Sequence, residues 1–161
     1  MKCSICVSAG LLGLLGLTTA TPLWTGDDAE ERKAVTRAVL DYCEAFYEAK
    51  PELLERSVHP ELTKLGYWRQ SAEDEYQEAR MSFEQAVALA KRWNADGGQL
   101  PEDAPKKVEI LDVMDQTASA KLTAHWGVDY FHLARYEGKW MIIQVLWQSH
   151  PPEQAQAGEE G

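Results

Sequence analysis

The amino-acid sequence predicts an α+β domain of cone-shaped architecture, in which N-terminal helices pack on a strongly curved antiparallel sheet. Three observations support this class. Over residues 35–47 and 83–93, apolar residues recur at three- and four-residue spacing, as they do on one face of a helix. From residue 108 onward they follow the two-residue period of strands. Residues 94–105, rich in Gly, Pro and Asp, form the loop between the two halves.

Both ends of the chain are expected to lie outside this domain. A basic start at Lys2, an uncharged apolar run and small residues before position 20 are typical of a signal peptide over residues 1–20. A retained membrane anchor is the alternative. The domain is predicted over residues 27–148, and residues 149–161 as a disordered acidic tail. We therefore expect export to the periplasm or the extracellular space, without a membrane contact once the signal is cleaved.

The composition excludes one class of partner and one kind of cross-link. The chain has 26 acidic and 16 basic residues, whereas a nucleic-acid binder needs clustered Lys and Arg to displace counterions from phosphates. Signal cleavage would also remove Cys3 and Cys6 and leave Cys43 as the last of three cysteines. We expect no internal disulfide, and Cys43, on an apolar helical stripe, is interpreted as a buried thiol.

Three helices are predicted in the first half. Asp27 and Glu30 fit a capping arrangement at the start of the first helix. Pro51 opens a short second helix that continues to about Val58. Ser82 forms a capping box with Gln85 at the start of the third. The first helix carries the clearest buried stripe, made of Val35, Val39, Tyr42, Cys43, Phe46 and Tyr47.

The strands are predicted from turn signals and alternation. His59-Pro60 indicates a turn, because the residue before a proline leaves the helical region. Residues 67–81 favour a short hairpin, and residues 108–114 a strand that ends in a turn over 115–117. No turn signal interrupts residues 118–136, which predicts one long strand bent by a bulge at a central glycine, Gly127. After Glu137-Gly138, Trp140 to Trp147 form the last strand.

Asp129 is the candidate catalytic group. A bulge at Gly127 would place Asp129 on the same face as Leu122 and Phe131, where a carboxylate is costly to bury without partners. Such surroundings raise the pKa of a carboxyl group and suit it to act as a general base. Tyr42 or His59 would be the hydrogen-bond donor in this scheme. The alternatives are structural hydrogen bonds from Tyr or Trp neighbours, an outward-facing Asp129, and a structural His59.

The last strand is predicted to have one face that lines the cone and another that contacts a second copy of the protein. Gln144, with Trp140, Ile142 and Leu146, could line the cone and orient a ligand through its amide, or bond across a dimer interface. The side chains on the opposite face of this strand are too apolar to remain exposed to water, so we interpret them as a homodimer face. That face consists of Met141, Ile143, Val145 and Trp147.

Aromatic side chains could hold a flat ligand in the cone, although aromatics at such spacing more often build a core. The four histidines lack the close spacing that preorganises zinc ligands, so no metal site is predicted. No nucleophile motif, phosphate loop or dinucleotide fingerprint is present, and no cofactor is predicted. The predicted ligand-binding residues are Tyr42, Phe46, Trp126, Phe131 and Gln144, and Tyr130 and Trp147 are further candidates for ring stacking.

Short motifs follow one another along the chain in a characteristic order: Tyr42 and Tyr47 in a helix, His59-Pro60, Met81-Ser82, Asp129 to Leu133, Gly138-Lys139-Trp140 and Val145-Leu146-Trp147. In this order they resemble the nuclear-transport-factor-2-like superfamily and, within it, the bacterial group named "putative lumazine-binding". The resemblance covers about residues 28–148. It implies a cone-shaped α+β fold, frequent dimers through the open sheet face, and members that are isomerases, dehydratases and cyclases or non-catalytic modules.

Three hypotheses follow from the sequence. The first is an exported dimeric domain that binds a small, mainly apolar molecule in the cone. The second is a proton-transfer isomerase, dehydratase or cyclase with Asp129 as general base. The third is an interaction module that acts through its sheet face. Whether the protein is an enzyme stays open at this point.

Overall fold

The computed structural model describes residues 26–151, so the predicted signal and most of the predicted tail lie outside the described residues. Three helices and six strands follow one another in the order two helices, two strands, one helix and four strands. The helices are α1 (Gly26–Tyr47), α2 (Pro51–Ser57) and α3 (Phe83–Trp93). The strands are β1 (Val58–Trp68), β2 (Gln77–Met81), β3 (Lys106–Val113), β4 (Thr117–Ala124), β5 (Gly127–Tyr136) and β6 (Lys139–Gln148).

The strands form one six-stranded sheet in the order β2-β1-β6-β5-β4-β3, with the helices packed on one face. The sheet is mixed and does not close on itself. All of its pairs are antiparallel except β1 with β6. These two strands are far apart in sequence, so no hairpin turn imposes opposite directions on them. The α+β class is confirmed, with one parallel pair in a sheet predicted to be antiparallel.

The helices follow the predicted pattern. All six residues of the α1 stripe are buried. The helix already includes Gly26 and Asp27, so Asp27 lies within its first turn rather than before it. The capping box of α3 is confirmed, because the Ser82 N–H donates to Gln85 Oε1 (2.9 Å) and the Gln85 N–H donates to Ser82 Oγ (3.3 Å).

Strand β1 differs from the prediction. The helix before it ends at Ser57, as the proline signal requires, but the chain continues directly as a strand through His59-Pro60 rather than turning there. The predicted hairpin exists, since residues 64–68 pair with residues 77–81 of β2. Its first arm is therefore longer than the sequence indicated, because the extended backbone that a proline imposes on its neighbour suits a strand as well as a turn.

The prediction of one long strand over residues 118–136 is wrong. The chain reverses at His125-Trp126, and β4 and β5 pair antiparallel across that turn. Gly127 has φ 146°, and a Cβ at that position would lie 2.0 Å from the carbonyl oxygen of Gln148, so only glycine fits. The register places Leu122 opposite Asp129. The predicted shared face is thus observed, but a hairpin rather than a bulge creates it.

A bulge lies instead in β6. Ile142 pairs with Leu133 and Gln144 pairs with His132, so Ile143 is the extra residue and side-chain parity changes there. Consequently Val145 is buried in the core with 1% exposure, whereas Gln144 is exposed. The predicted facing of the second half of β6 is wrong, because uniformly apolar residues give no sign of an extra residue.

Two residues assigned to the tail are bonded to the sheet. The Ser149 N–H donates to the Tyr67 carbonyl oxygen at 3.0 Å. His150 Nε2 lies 2.8 Å from the Ala124 carbonyl oxygen, to which it donates. Within residues 26–151, no helix is long and apolar enough to cross a membrane.

Candidate functional site

A cavity of about 130 Å³ lies between α1, α3 and the inner face of the sheet. Six of its lining side chains are apolar or aromatic, and the seventh is a lysine. This size approaches that of an engineered cavity of about 150 Å³ that holds benzene. The lining residues are Phe46, Lys64, Met81, Leu89, Trp93, Trp126 and Trp147.

One wall of the cavity depends on a glycine. Gly66 of β1 pairs with Trp147 of β6, and the indole ring of Trp147 lies across the glycine. A Cβ at position 66 would lie 1.8 Å from Trp147 Nε1. The absence of a side chain at Gly66 therefore fixes the position of the Trp147 ring as part of the cavity wall.

Lys64 projects from β1 into this aromatic surrounding. It lies two residues before Gly66, on the same face of the strand, and its side chain is only 7% exposed. Its Nζ atom lies 5.0 Å from the ring centre of Tyr42, 5.6 Å from that of Phe46 and 5.4 Å from that of Trp147. These distances are within the range in which aromatic faces attract a cation.

A chain of hydrogen bonds connects Lys64 to Asp129. The Lys64 ammonium donates to the Tyr42 hydroxyl oxygen, and the Tyr42 hydroxyl donates to Asp129 Oδ1 at 3.4 Å. The indole N–H of Trp126 donates to Asp129 Oδ2 at 2.6 Å. Lys64 Nζ and Asp129 Oδ1 are themselves 4.0 Å apart. We call Lys64, Tyr42 and Asp129 the buried relay.

Burial changes the pKa of all three members of the relay. Loss of water raises the pKa of Asp129, and the Lys64 charge and the hydrogen bonds from Trp126 and Tyr42 oppose this. Loss of water lowers the pKa of Lys64, and the negative charge of Asp129 opposes it. The pKa of Tyr42 is raised well above its ordinary value, first by burial and then by Asp129. Tyr42 therefore keeps its proton, and Lys64 and Asp129 are both shifted toward their neutral forms.

The members of the relay differ in their access to the cavity. Lys64 lines it, whereas Tyr42 and Asp129 are fully buried behind Lys64 and do not. A molecule in the cavity would thus meet the amino group first. The Asp129 carboxyl group could act on that molecule only through Tyr42 or Lys64.

The structure brings five predicted site residues together. Phe46 and Trp126 line the cavity, and Tyr42 bonds to Asp129. Phe131 packs edge-on against Tyr42, with ring centres 5.0 Å apart. These side chains converge because α1 packs on the inner face of the sheet over β3, β4 and β6, and its Tyr42 side chain reaches Phe131 and Asp129 of β5.

Two predicted site residues lie elsewhere. His59 stacks on Tyr136, with ring centres 4.6 Å apart, and its Nδ1 atom accepts from the Glu61 N–H at 3.2 Å. It is at the end of β1 that is remote from Lys64, so it does not reach Asp129. Gln144 lies on the outer face, where its Oε1 atom is 2.7 Å from His132 Nδ1. Neither is placed to contact a molecule in the cavity.

The predicted dimer face is divided between the two sides of the sheet. Val145 is in the core, and Trp147 lines the cavity. Met141 and Ile143 are half-buried. Met141 precedes the bulge and Ile143 occupies it, on the outer side of the sheet. An adjacent outer pair, Tyr130 and Leu146, is 48% and 45% exposed. The β6 bulge is the reason for this division.

Sequence reasoning missed Lys64. The sequence analysis assigns residues 61–66 to no element. No alternation in this segment identifies Lys64, because the neighbouring apolar residues Leu65 and Tyr67 have the opposite parity. The buried residue is the lysine.

Metal binding and thiol chemistry are two further functions to consider for the described residues. No group of three His, Cys, Asp or Glu side chains within residues 26–151 is arranged to hold a metal ion. Cys43 is buried, and burial raises the pKa of its thiol to about 12. This thiol therefore remains protonated near neutral pH and is a poor nucleophile.

The fold agrees with the comparison to known proteins. Residues 30–148 match the family described as "Putative lumazine-binding", and the chain belongs to that family. None of the curated proteins matches the chain in sequence.

Solved structures of similar fold come from several bacteria. An NTF-2 like protein of unknown function from Silicibacter pomeroyi DSS-3 has a TM-score of 0.59 at 19% identity, covering 76% of this chain and 98% of that one. An NTF2-like protein of unknown function from Shewanella baltica OS155 has a TM-score of 0.57 at 19% identity, covering 76% and 96%. At this identity, the similarity establishes the fold alone.

Proposed function

We propose that this domain binds a small, mainly apolar molecule in the cavity that Lys64 and three tryptophans line. The observation that supports the proposal is the composition of that wall. It offers aromatic and aliphatic surface with one buried amino group, which is the usual character of a small-molecule site. The apolar wall would supply affinity, and the amino group would orient the ligand by donating a hydrogen bond.

A benzene-sized probe tests this proposal. Fluorobenzene is titrated with the protein, and its fluorine NMR signal is followed for a saturable shift and line broadening. Binding that saturates and that also changes the fluorescence of the tryptophans would support the proposal, since three of the six tryptophans line the cavity. A fluorine signal that does not change at protein concentrations in the millimolar range would contradict it.

Two glycine variants locate the binding. Gly66→Ala should weaken fluorobenzene binding roughly tenfold, because a methyl group there displaces the Trp147 ring that forms the wall. Gly98→Ala is the matched control, since a Cβ at that position meets no atom within 4 Å and its backbone is not left-handed. Equal binding by the two variants would place the probe elsewhere on the protein.

The proton-transfer alternative is less well supported by the geometry. A general base must be within hydrogen-bond reach of the substrate proton, directly or through one water. Asp129 is 0% exposed, and both of its oxygens accept hydrogen bonds, from Trp126 and Tyr42. His59, the other predicted donor, stacks on Tyr136 instead.

Export and self-association belong to the same proposal. We propose that residues 1–20 direct export and are removed, which an intact-mass measurement of secreted protein would test. We also propose that a second copy covers the exposed outer pair Tyr130 and Leu146, together with the adjoining Met141 and Ile143. Gel filtration of Leu146→Glu should then give a monomer, and a wild-type protein that is already monomeric would contradict the dimer.

A further inference from the structure

We propose that Lys64 captures an aldehyde or ketone ligand as a reversible imine inside the cavity. The proposal rests on the proposed ligand site and names the chemical class of its occupant. It is carried by the placement of one amino group, which lies at the boundary between an apolar cavity and a hydrogen-bond chain that can move protons.

The first step of the argument concerns the partners of Lys64 Nζ. A charge-assisted bond between an ammonium and a carboxylate has a length of about 2.7–2.9 Å, whereas Nζ and Asp129 Oδ1 are 4.0 Å apart. The hydrogen bond that Nζ makes is to the Tyr42 hydroxyl. Among the described residues Nζ has no other hydrogen-bond partner, and the surrounding rings offer only their faces. The Lys64 amino group is thus held in place by one hydrogen bond, and its remaining hydrogen-bonding positions are not occupied by the described residues.

The second step concerns the protonation state that this surrounding favours. An imine forms only from a neutral amine, which must have a free electron pair. Burial lowers the pKa of Lys64, and its negative neighbour Asp129 counteracts this. The titratable groups that face Nζ are Tyr42 from α1 and Asp129 from β5. The cavity-lining neighbours from β2, α3 and β6 are Met81, Leu89, Trp93 and Trp147, none of which titrates.

The third step concerns the proton movements. The electron pair of Nζ forms a bond to the carbonyl carbon, and the carbonyl oxygen takes a proton to give a carbinolamine. The carbon–oxygen bond then breaks, and the oxygen leaves as water whose two hydrogens come from the amino group. Tyr42, which accepts from Nζ and donates to Asp129, is placed to take up the nitrogen proton and return it to the leaving oxygen. No oxidant or reductant is required.

The fourth step concerns selectivity among lysines. Lys33 and Lys139 are exposed to water and lie outside this cavity. A carbonyl compound with a flat apolar body would bury that body against Phe46, Trp126 and Trp147 when it reacts with Lys64. The cavity therefore favours small aromatic aldehydes and ketones over sugars and other hydrated carbonyl compounds.

Reductive trapping of the folded wild-type chain tests the proposal. The protein is incubated with benzaldehyde and sodium cyanoborohydride at pH 7, and modified lysines are located by peptide mass mapping over time. We expect Lys64 to be modified several-fold faster than Lys33 or Lys139, because the apolar cavity wall holds the ring of benzaldehyde next to the Lys64 amino group. Excess fluorobenzene should slow modification of Lys64 and leave Lys33 and Lys139 unaffected.

The outcomes separate this inference from the proposed function. Fluorobenzene binding with no preferential modification of Lys64 would overturn the imine and leave the ligand site intact. Modification of Lys64 that fluorobenzene does not slow would also overturn it, because the reaction would not take place in the cavity. Absence of both signals would contradict the proposed function itself.

A variant that preserves the amino group tests the relay. Tyr42→Phe keeps the aromatic ring and Lys64 but removes the hydroxyl group that connects Lys64 to Asp129. Trapping at Lys64 should become several-fold slower, whereas fluorobenzene affinity should stay within about twofold. A rate unchanged in Tyr42→Phe would show that Tyr42 does not move protons in this reaction.

Discussion

Two aspartates of this domain are almost completely buried, and they are buried in different ways. Asp41 is 3% exposed and Asp129 is 0% exposed. Arg56 holds Asp41 through both guanidinium arms, with Nε to Oδ2 at 2.7 Å and Nη2 to Oδ1 at 2.6 Å. Arg37 adds a third bond to Asp41 at 2.9 Å. About half of each arginine side chain is exposed to water.

The cation next to Asp129 differs from the arginines next to Asp41 in both exposure and distance. The cationic neighbour of Asp129, Lys64, is itself buried, and the two charged atoms are separated by 4.0 Å rather than in contact. The carboxylate of Asp41 is saturated by partners that stay hydrated, so it joins α1 to α2. The buried relay leaves an amino group next to a cavity. Both carboxylates accept hydrogen bonds on both oxygens, so what distinguishes the two sites is the cationic partner: hydrated and in direct contact at Asp41, buried and 4.0 Å away at Asp129.

Removal of each carboxylate should give the largest difference between the two sites. Asp129→Ala leaves Lys64 without its negative neighbour and the Trp126 N–H without an acceptor, so we expect a loss of about 3–5 kcal/mol in the free energy of unfolding. Asp41→Ala leaves two arginines that water can solvate, so the expected loss is about 1 kcal/mol. Urea unfolding at pH 7 measures both.

Equal losses for the two variants would contradict the distinction drawn between the sites. If Asp129→Ala does not fold, Asp129→Asn retains an acceptor for the indole N–H of Trp126. This milder variant should still be less stable than Asp41→Asn.

The sequence predicted much of the fold because local signals were strong. The α1 stripe and the Ser82–Gln85 capping box follow from spacing, whereas the inner placement of Asp129 was predicted from a bulge that the structure replaces with a hairpin. The turn at His125-Trp126 could not be predicted, because it contains none of the residues that favour tight turns, and its glycine comes afterwards. That glycine is required by the close approach of Gln148, a contact distant in sequence.

The site was predicted in part for a similar reason. Phe46 has inward parity in the clearly predicted α1, whereas Trp147 was predicted on the outer face and only the β6 bulge turns it into the cavity wall. Lys64 is buried by tertiary packing against α1 and β6, which no pattern within β1 reports, and its neighbour Leu65 is the residue that hydrophobicity would have placed inside. The β6 bulge, which decides the positions of Gln144 and Val145, is hidden in a uniformly apolar run.

The pH dependence of Asp129→Asn should separate the sites further. The native pKa of Lys64 is lowered by burial, and this variant removes the one charge that opposes the shift. Between that lowered pKa and the ordinary lysine value near 10.4, the unfolded chain binds more protons than the folded chain, so stability rises with pH. The penalty for a buried ammonium is therefore complete at low pH and is lost as pH increases.

Urea unfolding of this variant and the wild type at several pH values from 6 to about 10 measures the effect. Stability of Asp129→Asn relative to the wild type should increase by at most about 1.4 kcal/mol per pH unit within the window. Asp41→Asn is the control and should show no such recovery, because the arginines beside Asp41 stay charged throughout. A constant deficit for Asp129→Asn would contradict this prediction, because removal of the Asp129 charge would then leave the titration of Lys64 unchanged.

The smallest expected effect comes from the hydroxyl group that separates Lys64 from Asp129. Tyr42→Phe removes one donor to Asp129 and one acceptor from Lys64 while it preserves the ring that packs against Phe46 and Phe131. Because the bond to Asp129 is long, at 3.4 Å, we expect a loss of about 1–2 kcal/mol in the free energy of unfolding. A double-mutant cycle with Asp129→Asn measures how strongly the two groups depend on each other. Because the relay is one connected network, the two losses should not be additive, whereas Tyr42→Phe combined with Asp41→Asn should be additive within about 0.5 kcal/mol.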